Sequence, residues 1–431
     1  MSVGRLLIDV QPLRESPAFR RLWAGSALSL TGSVITSFAV ALQMFRLTHS
    51  TVAVGLVGLA VAVPRIGLGL IGGSLADTVD RRKLVLVTSS GLAGVSVLLA
   101  VQAFAGFGRA WLLYLLVIVQ SLLGAVDGPA RQTFAPRLLR SEQLPAATAL
   151  SMLTMHSSAT AGPLLAGLLT SVGGLKTCYL VDAFSFTAAL YGVFRLPPMT
   201  TEPGPHRPGL RAVADGLRYI KGSQLLTAAL LADASAMLLG MPFALFPAIN
   251  AERFGGSSVT LGLLSSSVAI GGIAGAAFSG PVGRVSRQGA AMLVAGAVWG
   301  AGLAGFGLAH TLWLCVLMLM IAGAADVLSV IFRTALIQTV TPDEYRGRTS
   351  AAEFVVGAGF PPLGSFRGGL VGGLTSPTIG AVSGGLSTVL GAGLIAVTLP
   401  ALARYRSPTA GSAAAGPADI PPATPSSQVS T

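Results

Sequence analysis

Charge is what this sequence has least of. Only 10% of its 431 residues are Asp, Glu, Lys or Arg, against about 25% in soluble domains, which excludes an ordinary globular protein in water. Lysine is scarcer still, with Lys83, Lys176 and Lys221 the three in the chain. The arginines that make up the rest of the basic set form no long cluster. A net charge of +12 therefore does not point to nucleic acid, which calls for a concentrated basic stripe. Cysteine is limited to Cys178 and Cys315, both inside apolar runs. Two are too few for a disulfide framework or a four-ligand zinc site. The histidines (His49, His156, His206, His310) are scattered, so no two-histidine metal motif exists, and no Walker loop occurs to cradle ATP. No metal, cofactor or enzyme active site is expected.

Apolar and small residues fill the space that charge vacates. The chain is 52% hydrophobic with 55 glycines, and small residues let membrane helices approach closely. Crossing the hydrocarbon core takes about 20 mostly apolar residues. Twelve such runs are legible, at 22–45, 52–75, 84–105, 111–130, 149–172, 178–196, 225–248, 259–283, 290–308, 311–332, 351–374 and 379–402. The expected fold class is an all-α membrane protein set in a lipid bilayer. Residues 1–21 lack the pattern of a cleaved signal peptide, so the first run is expected to stay in the mature protein.

Basic residues then orient the chain. With the N-terminus inside, 22 of the 28 Lys and Arg fall in inner segments. Arg46, Arg109, Lys176 and Arg253 fall outside, and Arg65 and Arg367 within the membrane. The positive-inside rule thus places both termini in the cytoplasm. The longest connection is a Pro-rich linker, 197–224, whose second part spaces Leu210, Val213, Leu217 and Ile220 as an amphipathic surface helix. It separates a six-helix half (1–196) from a second (225–405), followed by a Pro/Ala/Ser/Thr-rich tail (406–431) expected to be disordered.

The halves repeat. Val52-Ala-Val-Gly-Leu-Val57 recurs as Val259-Thr-Leu-Gly-Leu-Leu264 at an offset of 207, and Glu142-Gln-Leu with Thr148 recurs as Asp343-Glu-Tyr with Thr349 at 201. Duplicated six-helix halves point to a transporter with its substrate site between them near mid-membrane.

The most informative stretch is Gly73-Ser-Leu-Ala-Asp-Thr-Val-Asp-Arg-Arg-Lys83, between spans 2 and 3. Asp77 precedes Arg81 by one helical turn, so a carboxylate–guanidinium pair is feasible; a solvated basic loop is the plainer alternative. The segment resembles the signature loop of the major facilitator superfamily at Gly73, Leu75, Asp77, Arg81 and Arg82, with Thr78 and Asp80 replacing the usual Arg and Gly. Three further stretches are similar to the enterobactin-exporter-like branch, which includes siderophore and drug exporters: Ser16-Pro-Ala-Phe-Arg-Arg-Leu-Trp23, Asp127-Gly-Pro-Ala-Arg-Gln132 and Gly347-Arg-Thr349. The resemblance covers about residues 12–405. It implies two six-helix bundles related by a pseudo-two-fold axis and a cytoplasmic latch of Asp77, Arg81 and Asp127, with Gly73 and Arg82 in the same motif. Capping is the alternative for Asp127. Gly162, Pro163 and Gly167 of span 5 resemble the Gly-Pro motif of antiporters within the superfamily; a structural kink is the alternative.

Ionisable groups inside spans are costly and so are functional candidates. Asp233 in span 7 is expected to bind and release the coupling proton, with a structural hydrogen bond as the alternative. Asp326 in span 10 and Glu353 in span 11 are further proton-coupling candidates, with a latch or local capping as the alternatives for Asp326. Asp182 is expected to be wet near the outer end of span 6, and Arg367 to snorkel outward from span 11. Arg65, after Pro64 in span 2, either attracts an anionic substrate or pairs with an acid such as Glu353. By the resemblance, spans 1, 4, 7 and 10 line the cavity, with Gln43, Met44, Gln120 and Met237 as contributors beside Asp233. The expected protein is a monomeric, proton-coupled exporter of an amphiphilic small molecule in a bacterial inner membrane. Import, lipid flipping or a non-transporting receptor or assembly role are the alternatives.

Overall fold

The computed structural model describes residues 9–76, 80–196, 210–280 and 285–407, all helix and connection without strand. Twelve long helices carry the architecture among them. The first six are α1 (Pro17–Thr48), α2 (Thr51–Ala76), α3 (Arg81–Phe104), α4 (Ala110–Gln132), α5 (Leu144–Gly173) and α6 (Leu175–Phe194). The second six are α7 (Gln224–Gly240), α8 (Ser258–Ala277), α9 (Gln288–Leu308), α10 (Leu312–Val340), α11 (Asp343–Leu374) and α12 (Pro377–Thr398). Ten of the described helices are long and apolar enough to cross a membrane. The two others, α5 and α11, are equally long. His156, Ser157, Ser158 and Thr160 dilute the apolar character of α5, and Pro361, Pro362, Arg367 and the glycines around them do so in α11.

Turn chemistry starts and stops these helices. Ser16 caps α1 by accepting from the Phe19 amide, with Pro17 at the first helical position, where its missing N–H costs nothing. His49 ends α1 in the left-handed region at φ 48°. Asp80, one of two residues that depart from the superfamily pattern, caps α3 through the amides of Arg82 and Lys83.

In the first half α6 packs on α1 and α3, α5 on α1, and α4 on α2 and α3. In the second half α9 packs on α10 and α12, α8 on α10, and α11 on α7 and α12. The bundles meet along two seams, α2 with α11 and α5 with α8. Large apolar side chains such as Val172, Phe278, Trp313 and Leu390 remain exposed around the outside, as expected of surface that faces lipid rather than water. Twelve traverses return the chain to the face where it began. There Gln143, between α4 and α5, hydrogen-bonds Glu15, and the Ser407 amide bonds Ser286 O between α8 and α9. We term this the terminal face and its opposite the far face.

Three boundaries depart furthest from expectation. Span 7 does not run unbroken over 225–248: α7 stops at Gly240, and the chain resumes as a turn at Phe243–Leu245 and a short helix, Phe246–Phe254. Pro242 accounts for the break, because it forces Met241 out of the helical region (ψ 117°). Span 10 continues past 332 to Val340, so Arg333, counted as loop from the sequence, lies inside a helix. Span 11 begins at Asp343 instead of 351. The amphipathic linker helix is present as Leu210–Lys221 and packs on α11, where Tyr219 stacks on Tyr345 at 4.1 Å.

Candidate functional site

Both seams depend on missing side chains. A Cβ at Gly167 would lie 2.6 Å from Ser258 O, and one at Gly262 would lie 2.5 Å from Pro163 O. Glycine there lets α5 and α8 touch backbone to backbone, and hydroxyls stitch the contact: Ser258 Oγ donates to Gly167 O at 3.1 Å and Ser266 Oγ to Thr160 O at 2.7 Å. Gly162 faces Val34 of α1 instead. The Gly-Pro stretch of α5 thus touches both its own bundle and the opposite one. On the other seam Thr51 Oγ1 donates to Gly369 O at 2.9 Å, and Gly58 lies against Pro362 O. Since α2 and α8 start at the far face, these contacts occupy its half of each seam.

On the terminal side of the first bundle is a cavity of about 380 Å³. Ser26, Ser29, Ser33 and Ser37 line it from one face of α1, and Gln120 and Ser121 from α4. Arg65 stands in its wall and also borders a second cavity of about 270 Å³ at the α2–α11 seam, beside Val57, Phe243, Pro361 and Pro362. Arg65 does not reach Glu353. It has no ion-pair or hydrogen-bond partner among the described residues.

Asp127 also lines the larger cavity and is held on three sides. Thr88 Oγ1 and Ser89 Oγ donate to its Oδ1 at 2.6 and 3.0 Å, and Arg131 Nε to its Oδ2 at 2.5 Å. Arg131 also reaches Ser89 and Ser26, tying α4 to α3 and α1. The guanidinium beside Asp127 is therefore that of Arg131, one turn along its own helix. Asp77 lies outside the described residues; Gly73 falls within α2 and Arg81 opens α3. Arg82 donates to Phe194 O at 2.6 Å and lies over the Phe194 ring, fastening α3 to the end of α6.

The second bundle gathers charge around one arginine. Arg333 of α10 pairs with Asp233 of α7, and its Nε lies 4.0 Å from Glu353 Oε1 of α11. Asp233 is 8% exposed. Counting from the terminal ends of α7, α10 and α11, the three residues lie about 14, 11 and 15 Å along their helices at 1.5 Å per residue, so three separate helices deliver them to one level. Asp326 is seven residues before Arg333, hence on the same face of α10 and about 10 Å further in. It has no hydrogen-bond or ion-pair partner among the described residues.

Other polar side chains hold helices together. Asp182 is fully buried, against the expectation of a wet site, because its face of α6 meets α1 and α3. Its Oδ2 accepts from Thr36 and Ser96 at 2.8 and 2.7 Å, while Oδ1 has no hydrogen-bond partner. Further along the same interface Gln43 and Gln102 exchange amide hydrogen bonds and Tyr179 donates to Gln43. The structure places Gln43 and Met44 in that packed interior and Met237 among buried residues of α7, with Gln120 on the cavity wall. Arg367 does not snorkel: it donates to Leu239 O at 3.0 Å and approaches Ser383. The break after α7 leaves that carbonyl without its helical donor.

Two six-helix bundles around buried charge, with the interior divided along glycine-lined seams, define a transporter of the major facilitator fold. A family model described as transmembrane secretion effector matches residues 9–418, and the chain belongs to that family. It is 27% identical over 404 residues to the enterobactin exporter EntS of Citrobacter koseri, covering 93% of this chain and 96% of that one. Its fold is similar to a bacterial homologue of the iron transporter ferroportin in an inward-facing state, with TM-score 0.67, 16% identity and coverage of 94% and 100%. The nucleoside transporter NupG gives TM-score 0.66 at 14% identity, covering 90% and 99%. The chain is a secondary transporter and not an enzyme.

Proposed function

We propose that this transporter exports an amphiphilic small molecule, such as a drug, siderophore or other secondary metabolite, in exchange for protons. The observation that carries the reading is the Asp233–Arg333–Glu353 group. Protonating Asp233 removes the charge that holds Arg333, and the guanidinium then has Glu353 to turn to. Such a group gives one bundle two arrangements, which alternating access requires. Asp326, on the same face of α10, extends the proton path. Export follows from kinship with enterobactin exporters and from the Gly162-Pro163 stretch at the seam.

With the terminal face in the cytoplasm, as the basic residues place it, the half-to-half contacts seal the outside and the cavity opens inward. The paired Asp233 is then the deprotonated form that binds cargo from the cytoplasm. Asp127, with Asp77 and Arg81, latches the cytoplasmic side in the opposite state, and the linker of 197–224 joins two halves that rock as units. The protein works as a monomer in a bacterial inner membrane. Uptake into inverted vesicles with an imposed pH gradient tests the reading, screening fluorescent cations and a catecholate panel. Accumulation abolished by a protonophore supports it; accumulation indifferent to the protonophore contradicts it.

A further inference from the structure

Arg65 carries a charge that the duplicated scaffold does not need, since its repeat position is Gly272. It lies fourteen residues past Thr51, about 21 Å along α2, far from either end. A guanidinium at that depth is costly unless something neutralises it. The other charges on the same cavity cancel, because Asp127 is paired with Arg131. Arg65 therefore leaves the site one positive charge in excess. Its surroundings divide by polarity: serine hydroxyls of α1 and the Gln120 amide on one side, and on the other the apolar wall of Val57, Phe243, Pro361 and Pro362 at the seam.

We propose that Arg65 receives an oxyanion of the cargo, a carboxylate or a group of like geometry, while the cargo's apolar body lies against the α2–α11 seam. The inference rests on the transporter reading and sharpens it to organic anions. A guanidinium presents paired N–H donors that match a carboxylate, and the hydroxyls of Ser26 and Ser33 supply further donors, those of Ser29 and Ser37 being engaged with Ser26 O and Ser33 O. The binding position touches both bundles, because the seam cavity is built from α2 and α11 together. Occupancy is thereby communicated to the movement of one half against the other.

The test is equilibrium binding, with no pH gradient, to the full chain in phosphatidylcholine nanodiscs. Three fluorescent probes share one apolar body: dansylglycine (anion), dansylglycinamide (neutral) and dansylcadaverine (cation). Dansylglycine should bind about tenfold more tightly than the other two, the scale of a charge-assisted hydrogen bond. Arg65→Gln should erase that preference and Arg65→Lys should keep part of it. Equal or tighter binding of the cation by the native protein overturns the proposal whatever the variants do, as does an Arg65→Gln protein that retains the preference. Phosphatidylglycerol added to the discs separates the sources of oxyanion. Displacement of dansylglycine by it, lost in Arg65→Gln, would assign the site to a lipid headgroup and overturn the cargo assignment. Proton-coupled export is read separately in vesicles, so either result stands without the other.

Discussion

Arg333 of α10 pairs with Asp233 of α7 inside the second bundle, and Glu353 of α11 is the nearest further carboxylate, 4.0 Å from the same guanidinium. Because the pair is buried, removing one partner leaves an uncompensated charge, whereas removing both does not. Arg333→Gln should therefore destabilise the protein by about 3–5 kcal/mol. Asp233→Asn with Arg333→Gln should recover a large part of that loss. Denaturant unfolding of the parent and the two variants in detergent checks this; equal losses in the single and double variants would refute it.

The far-face seam predicts an access-state mutant. A side chain at Gly167 meets Ser258 O, so Gly167→Val should push α5 from α8 and favour a state opened at that face. Spin labels at Val172 and Val259, both exposed, should then report a longer mean distance than in the parent. Native thiols will not interfere, because Cys178 and Cys315 are buried. An unchanged distance distribution would mean that close approach at Gly167 does not hold the face shut.

Asp182 holds α1, α3 and α6 together through one oxygen, the other having no hydrogen-bond partner. An asparagine keeps an acceptor for Thr36 and Ser96, so Asp182→Asn should fold normally. Asp182→Ala leaves the buried Thr36 hydroxyl without its acceptor, while Ser96 keeps Leu92 O, and should cost about 1–3 kcal/mol. Thermal unfolding of both variants distinguishes this from a role for the charge, which would make Asn as damaging as Ala.

The twelve spans were legible because hydrocarbon thickness sets a length that composition reveals directly. Polar partnerships were harder to read, since an apolar run does not say which face of its helix turns inward. Hydropathy puts Arg333 in a loop because a charge ordinarily marks the end of a span. Here Asp233 and Glu353 let the helix carry it inside. Hydropathy makes Arg367 a snorkelling residue for a similar reason; the break that frees Leu239 O depends on Pro242, which a hydropathy run does not register. Asp127 is legible as a buried acid, but its partner is Arg131, its i+4 neighbour, where the resemblance points to the motif arginine. That spacing was the available signal.

The measurement that tests the central claim most directly is pH-gradient-driven uptake by inverted vesicles containing the native protein or Asp233→Asn, at matched amounts of folded transporter. The account predicts accumulation that collapses with the gradient in the native protein, and in the variant no response to the gradient. Undiminished gradient-dependent accumulation by Asp233→Asn would contradict it.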